Sequence, residues 1–297
     1  MTLALGLDLG GTNARAAIIE RSSGRVVASA RHSWADRSPE AVVRESAKLV
    51  NELAAQHELP PGPLGVGFAG MLNGGVVVNA PNLGWRNVDF GGALTRATGR
   101  EVTLVNDLSA AAWGELSAGC ARGASDTFTV FVGTGVGSAI IADGALLTGA
   151  TQVAGEFGHV KVVARGGRRC GCGQDGCLEA YAGGAKLAEW MKEEGLAGGA
   201  SELEKLNLAG DATATRLYDF VTSSLALAIA NQVTVLNPSV LVLGGGVLAR
   251  CPGMVQHIRE TVATHSTVAA RQALKIELAA LGDDAGLIGA ALLSQPT

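Results

Sequence analysis

Charge is scarce in this chain: Asp, Glu, Lys and Arg make up 17% of its 297 residues, against roughly 25% in an average domain. The charge present sums to −4 at pH 7, so no basic stripe offers itself to nucleic-acid phosphates or to an anionic membrane. Aromatic residues amount to 4%, too few for a platform on which single-stranded nucleic acid stacks. An uninterrupted apolar span is missing as well. The longest apolar stretch, Leu225 to Ala249, is broken by Asn231, Gln232, Asn237 and Pro238, and reads as a helix, a turn and a strand rather than a bilayer crossing. Met1 to Gly10 carry no basic segment ahead of an apolar one, so no secretory leader is visible and a cytoplasmic protein is expected. Abundant, by contrast, are apolar residues at 47% and glycine at 42 residues. That composition excludes disorder and supports one large core or two modest ones. Glycine at about twice its usual share implies many tight turns and close backbone approaches.

Short apolar runs alternate with helical patterns along the chain, which makes the class α/β. Leu3 to Leu9 reads as a buried strand, Gly10 to Asn13 as a turn, and Ala14 to Ile19 as the returning strand of a hairpin. Arg25 to Ala30 is a third strand, and Pro39 to Leu59 carries apolar residues at the helical period until Pro60 and Pro61 end it. Leu64 to Ala69 and Val102 to Val105 read as strands, the latter leading into a helix over Ser109 to Leu116. About 125 positions after the first hairpin, Phe131 to Ile141 repeats its plan of strand, glycine turn and strand, which suggests two related halves. Thr213 to Leu236 reads as a long helix, Val240 to Leu243 and Lys275 to Leu278 as strands, and Ala285 to Leu293 as a final helix. The least patterned stretch, Gly195 to Ala212, is expected to be a surface loop or short helix.

Three glycine clusters close strands: Gly10-Gly11-Thr12, Gly133-Thr134-Gly135 and Gly244-Gly245-Gly246. One such cluster is commonly just a tight turn. Three of them, two with a threonine hydroxyl, point to backbone N–H groups gathered around phosphate oxygens. Neither a Walker A sequence nor a clean dinucleotide fingerprint is present, so a nucleotide held between two hairpins fits better than a P-loop or Rossmann site. Asp8, two residues before the first turn, can hold Mg²⁺ through water beside such phosphates, or serve equally as a turn residue. Asp107 closes a strand just before a helix. A carboxylate there can take the proton of a sugar hydroxyl that attacks a phosphoryl group, or simply cap the helix.

The most specific cluster is His159 with Cys170, Cys172 and Cys177. The run Cys-x-Cys-x₄-Cys with interspersed glycines brings three thiolates together, and with the histidine makes a Cys₃His set suited to structural zinc. Four protein ligands leave no open position for catalysis. Glu156 and Glu179 flank the cluster, so a metal there would also fix two carboxylates suited to sugar hydroxyls. An exposed glutamate and a helix-start glutamate would account for them too. Cys120 and Cys251 lie outside metal spacing and read as core or surface residues.

Taken together these residues resemble the ROK family of sugar kinases, within the actin-like, hexokinase-like ATPase superfamily. The similar segments are Leu7 to Thr12, Ala80 to Trp85, Asn106-Asp107, Gly133 to Gly137, Gly155 to His159, Cys170 to Glu179 and Leu243 to Gly246, and they span nearly the whole chain. The resemblance implies a two-lobed, ribonuclease H-like actin ATPase fold with the active site in the cleft between lobes. The small lobe would be residues 1–108 plus a C-terminal helix 284–297, and the large lobe, with the zinc loop, 109–283. It implies ATP and Mg²⁺ with Asp8, Gly10, Gly11, Thr12, Gly133, Thr134 and Gly135 near the phosphates and Gly244, Gly245 and Gly246 by the adenosine. It makes Asp107 the general base, and Asn82, Asn106, Glu156, His159 and Glu179 the sugar contacts, with His159 serving zinc and sugar through its two ring nitrogens. The Pro81 to Trp85 segment and the run Ala110 to Glu115 look most like the glucokinase branch, so phosphorylation of the glucose 6-hydroxyl is the expected activity. Kinases of N-acetylglucosamine, N-acetylmannosamine or fructose are the alternative, and a sugar-binding regulator without turnover a further one. Polyphosphate is a possible donor in place of ATP, and a homodimer is expected by resemblance. Family members that repress transcription carry a DNA-binding segment ahead of the first hairpin, for which Asp8 leaves no room here. Leu108-Ser109 and Asn13 depart from the family pattern, and Leu108 bears on the shape of the pocket beside the base.

Overall fold

The computed structural model describes residues 2–294, so the last three positions of the expected helix 284–297 lie outside the described residues. In order along the chain run β1 (Leu3–Leu9), β2 (Asn13–Glu20), β3 (Val26–Ser33), α1 (Pro39–Gln56), β4 (Leu64–Phe68), β5 (Met71–Asn73), β6 (Val76–Ala80), β7 (Trp85–Val88), α2 (Phe90–Thr98), β8 (Val102–Asn106) and α3 (Asp107–Ala118). There follow β9 (Thr127–Val132), β10 (Val136–Ala142), β11 (Ala145–Leu146), α4 (Glu179–Ala182), α5 (Gly184–Glu193), α6 (Ala200–Leu208), α7 (Ala212–Leu236), β12 (Val240–Gly244), α8 (Pro252–His265), α9 (Val268–Gln272), β13 (Lys275–Leu278) and α10 (Ala285–Leu293). Packing divides the chain into a first unit of Met1–Gly123, Leu146–Ala154 and Ala280–Thr297, and a second of Ala124–Ala145 and Gly155–Ala279.

Each unit is built on a five-stranded sheet, ordered β3-β2-β1-β4-β8 in the first and β11-β10-β9-β12-β13 in the second. Both sheets begin with an antiparallel hairpin and continue with parallel neighbours, so the echo between the Gly10 and Gly133 turns corresponds to a repeated sheet plan. In the first sheet the alternation of side chains is visible on β1. Leu5, Leu7 and Leu9 face a core with Val50, Leu53, Phe68 and Phe90, while Ala4 faces Leu287, Ile288 and Ala291 of α10. Each fully buried leucine contributes about 1.5–3 kcal/mol.

On the α10 side the packing depends on missing side chains. A Cβ on Gly65 of β4 would lie 1.7 Å from the Ala290 carbonyl oxygen, and one on Gly289 equally close to the Ala110 carbonyl. Backbone therefore meets backbone between sheet and helix and between α3 and α10. This is why α3 belongs to the first unit, and why the division falls after Gly123 rather than at the expected 108.

In the second unit, Phe128, Val130 and Val132 of β9 and Leu241 and Leu243 of β12 pack against α7 and α8. Helix α7 is long and apolar enough to cross a membrane, yet its Leu217, Val221, Leu225, Ile229 and Val233 form the middle of this core. Asp211 starts it, accepting the Ala214 N–H at 2.8 Å, and Asn237 ends it at φ 49°. The stretch expected as a loop or short helix holds α6, whose buried Glu204 accepts the N–H groups of Gly253 and Met254 at 3.1 and 3.2 Å and the Tyr218 hydroxyl at 3.0 Å. That carboxylate thereby caps α8, which has no side-chain cap of its own.

Candidate functional site

In the first unit, β1 and the β8–α3 junction deliver two carboxylates and a turn delivers backbone N–H groups. Asp8 lies on the Ala4 face of β1, opposite Arg15 on β2 and Gly67 on β4. Burial raises its pKa, and the Arg15 guanidinium partly offsets this. Arg15 in turn bonds the Asp284 carboxylate and the Asp283 carbonyl, just ahead of α10. Between β1 and β2 the Gly10 N–H donates to the Asn13 carbonyl at 2.9 Å, and the Gly10 carbonyl accepts Trp34 Nε1–H at 3.2 Å. Asn82 lies against Gly11, where an added Cβ would stand 3.0 Å from the Asn82 Cβ, and is otherwise exposed.

At the end of β8 the two readings of Asp107 separate. Asn106, not Asp107, caps α3: its Oδ1 accepts the N–H groups of Leu108 and Ser109 at 3.0 and 3.2 Å, and its Nδ2 donates to the Gly70 carbonyl. Asp107 accepts the adjacent Leu108 N–H at 3.0 Å, and the Asn106 side chain also bonds it. Burial pushes the Asp107 pKa up to about 6, the Leu108 N–H pulls it down, and the like charge of Asp8 adds to the rise. A carboxylate held near 6 is a stronger base than an ordinary one and still ionised at neutral pH.

The second unit supplies a pocket, a metal-type cluster and two further carboxylates. Gly133, Thr134 and Gly246 line a cavity of about 710 Å³ together with Gly184, Ala185, Ser201, Glu202, Val247 and Arg250. Gly244 and Gly245 stand behind it. Gly244 packs against the Phe131 ring, and Gly245, at φ 89°, presses on the Val132 backbone. Gly135 abuts Glu179, whose Oε2 accepts the Val136 N–H at 3.0 Å. Pocket walls from α6 and Arg250 were not legible from the sequence, since nothing local marks them.

His159, Cys170, Cys172 and Cys177 present ligand atoms that all lie within 4.8 Å of one another. Cys172 Sγ is 3.7 Å from Cys177 Sγ, and His159 Nδ1 is 3.6 Å from Cys170 Sγ. Zn–S bonds of about 2.3 Å and a Zn–N bond of about 2.05 Å give tetrahedral edges of about 3.8 Å and 3.6 Å, so these residues fit the ion. Burial pushes the Cys170 thiol up to about 12, whereas the Gln174 N–H draws the exposed Cys172 thiol down. A divalent cation is the partner that lets all three ionise. The other histidine nitrogen, Nε2, lies 3.5 Å from the exposed Glu156 carboxylate, and Cys170 Sγ lies 3.9 Å from Glu179 Oε1. The cluster therefore joins both glutamates to one frame. Tyr181, Trp190 and Phe220 pack beneath it, with ring centroids 4.9–5.7 Å apart.

An α/β chain with two sheets of the same order, glycine hairpins and a half-buried carboxylate at a strand-to-helix junction has the fold of the actin-like ATPases. The model of the ROK family matches residues 4–296; the chain belongs to the ROK family, as a sugar kinase. It is 30% identical to a glucokinase of Thermotoga maritima over 97% of this chain and 95% of that one. It is 32% identical to an N-acetylmannosamine kinase of Citrobacter koseri, covering 98% of both. Among solved structures, a ROK hexokinase from Thermus thermophilus superimposes with a TM-score of 0.89 at 32% identity, covering 99% of this chain and 98% of that one. A ROK glucokinase from Streptomyces griseus, in complex with glucose and AMPPNP, gives 0.77 at 28% identity, with 99% of each chain covered.

Proposed function

We propose that the protein transfers the γ-phosphoryl group of ATP to the 6-hydroxyl of glucose, with Asp107 as general base. The observation that carries this reading is the division of labour at the β8–α3 junction. Asn106 holds the helix start, leaving Asp107 a carboxylate with a pKa of about 6. As the hydroxyl attacks, its proton passes to Asp107, and proton removal by a positioned base contributes about 10²–10⁴-fold. Phosphoryl transfer otherwise needs positioning and charge neutralisation. The N–H groups of Gly11 and Thr12 and of Thr134 and Gly135 are proposed to address the phosphates, while those of Gly10 and Gly133 close the two turns. The cavity beside Gly133, Thr134 and Gly246 has the volume of a nucleotide pocket. Asp8, an oxygen donor held on a buried strand, fits Mg²⁺ bound through water, and that ion would supply neutralisation of phosphate charge.

Asn82, Asn106, Glu156, His159 and Glu179 are the proposed sugar contacts. Zinc in the Cys₃His set would hold His159 through Nδ1 and leave Nε2 toward the sugar, with Glu156 beside it. A second reading is an N-acetylhexosamine kinase, favoured by the full-length match to the N-acetylmannosamine enzyme. The test is a coupled ADP-release assay with ATP–Mg²⁺ and glucose, N-acetylglucosamine, N-acetylmannosamine, mannose or fructose, with a no-sugar control. Preference for glucose supports the proposal, and preference for an N-acetylated sugar moves the specificity while keeping the mechanism. Absence of sugar-dependent turnover with ATP, and then with polyphosphate, removes it in favour of a sugar-binding regulator.

A further inference from the structure

Lys161 and Cys177 form an isolated antiparallel bridge, flanked by the Val162 N–H on the Gly176 carbonyl and the Leu178 N–H on the Val160 carbonyl, both at 2.9 Å. Side chains of residues directly opposed in this way leave on the same face. Lys161 Nζ accordingly lies 3.1 Å from Cys177 Sγ, and it also donates to the Asp175 carbonyl at 2.9 Å. An ammonium has three donors and no acceptor, so the sulfur it touches must accept. A thiolate meets that demand far better than a thiol.

Three thiolates and a neutral imidazole around a divalent cation leave one excess negative charge. Cys170, Cys177 and Tyr181 are buried around it, where an uncompensated charge is costly. The two arginines next to Cys170 are engaged elsewhere: Arg169 pairs with the Asp175 carboxylate at 3.1 Å, and Arg168 with Glu193 at 2.6 Å; Arg165 is exposed. Glu179 and Glu156, near Cys170 and His159, add negative charge rather than relieve it.

We infer that Lys161 is the counter-ion of the metal centre, a positioning residue that neutralises the excess charge and holds the Cys177 thiolate in place for the metal. This rests on the zinc reading given above. The backbone bridge that aligns the two residues is independent of the metal, so the ammonium is placed before the ion arrives. Its removal acts first on the Cys177 sulfur and only through it on the rest of the cluster.

Zinc-loaded full-length protein is mixed with a chromophoric chelator and the release of zinc is timed, for wild type, Lys161→Met, Lys161→Arg and Arg169→Met. Loss of an outer-shell partner weakens metal binding by about 10- to 100-fold. Release from K161M is therefore expected to be faster by about that factor, with K161R between K161M and wild type and R169M unchanged. In the cobalt-substituted proteins the thiolate-to-metal charge-transfer band of K161M moves to longer wavelength, because an N–H···S bond lowers the sulfur donor level. Should K161M not fold, K161Q keeps a donor without the charge and carries the same comparison. Wild-type release rates and an unmoved band in the uncharged variant overturn the inference, as does equal acceleration in R169M. Wild-type protein that takes up no zinc or cobalt overturns the zinc reading itself, and this inference with it.

Discussion

The turn between β1 and β2 runs from Gly10 to Asn13 and closes with the Gly10 N–H on the Asn13 carbonyl, whereas the turn between β9 and β10 closes a residue sooner, with the Gly133 N–H on the Gly135 carbonyl. The first follows a strand that carries a half-buried carboxylate, Asp8. The equivalent strand of the second unit ends in Phe131 and Val132, and its carboxylate, Glu179, comes from α4 and is tied to the Val136 N–H. Two sheets of one order thus carry opposite equipment. The first unit keeps acids whose charge the surroundings resist, at Asp8 and Asp107. The second binds its acids to backbone, histidine and cysteine and adds an open pocket. A repeated strand plan settles where side chains stand, and a few substitutions at strand ends settle whether they react or bind.

The contrast is broken most directly at Asp107. Asp107→Asn is expected to lower kcat by about 10²–10⁴-fold with little change in sugar affinity, measured by coupled ADP release alongside sugar binding by calorimetry. A loss confined to KM would move the base elsewhere. In the second unit, Glu179→Gln should act the other way, raising the sugar KM by about tenfold, the scale of one charged hydrogen bond, with a smaller effect on kcat. Equal losses of kcat in both variants would erase the distinction between the units.

The pH profile sharpens the same point. Asp107 must be ionised to accept a proton, so its value of about 6 sets the acid limb of kcat/KM near pH 6, falling tenfold per unit below it. Asp8→Asn removes a like charge that raises Asp107, so the limb should move to lower pH in whatever activity remains. Because the folded state holds this proton more tightly than the unfolded chain, the stability Asp107 adds in acid is lost as pH rises from about 4 to about 6.

Smaller effects test the packing. Gly65→Ala, which forces a Cβ onto the Ala290 carbonyl, should cost about 1–3 kcal/mol of stability, seen as a lower thermal midpoint. Removing the α7 cap in the second unit, Asp211→Ala, should cost about 1 kcal/mol, measured by denaturant titration.

Much of this was legible along the chain because the signals are local. Strands such as Leu3–Leu9 and Lys275–Leu278, and the helix Ala285–Leu293, sit where apolar runs and glycine turns put them. The His159 and cysteine cluster was visible from ligand type and spacing. The meander β5–β7 leaves little signal in the sequence, since its strands are three to five residues long and half exposed. Helix α8 is absent from the sequence expectations, although Pro252 at its start and Met254, Ile258 and Val262 at helical spacing mark it. Roles that depend on distant partners left no trace. Glu115, read only as part of a family-like run, is a buried carboxylate that accepts the N–H groups of Cys120 and Leu281. The expected sugar contact Asn106 has its Oδ1 engaged in capping α3 and its Nδ2 on the Gly70 carbonyl, which only the fold around the β8–α3 junction reveals.

The close fit of α10 onto β1 and β4 also bears on the order of assembly during synthesis. Strand β1 emerges early, but the helix that covers its Ala4 face lies about 280 positions later. Until that helix has been made, α3 covers that face of the first sheet only in part, and its closure is a long-range event that pays the entropy of a very large loop. The second unit has all of its residues by Ala279. The half of the molecule that starts first on the ribosome is therefore the half that finishes last.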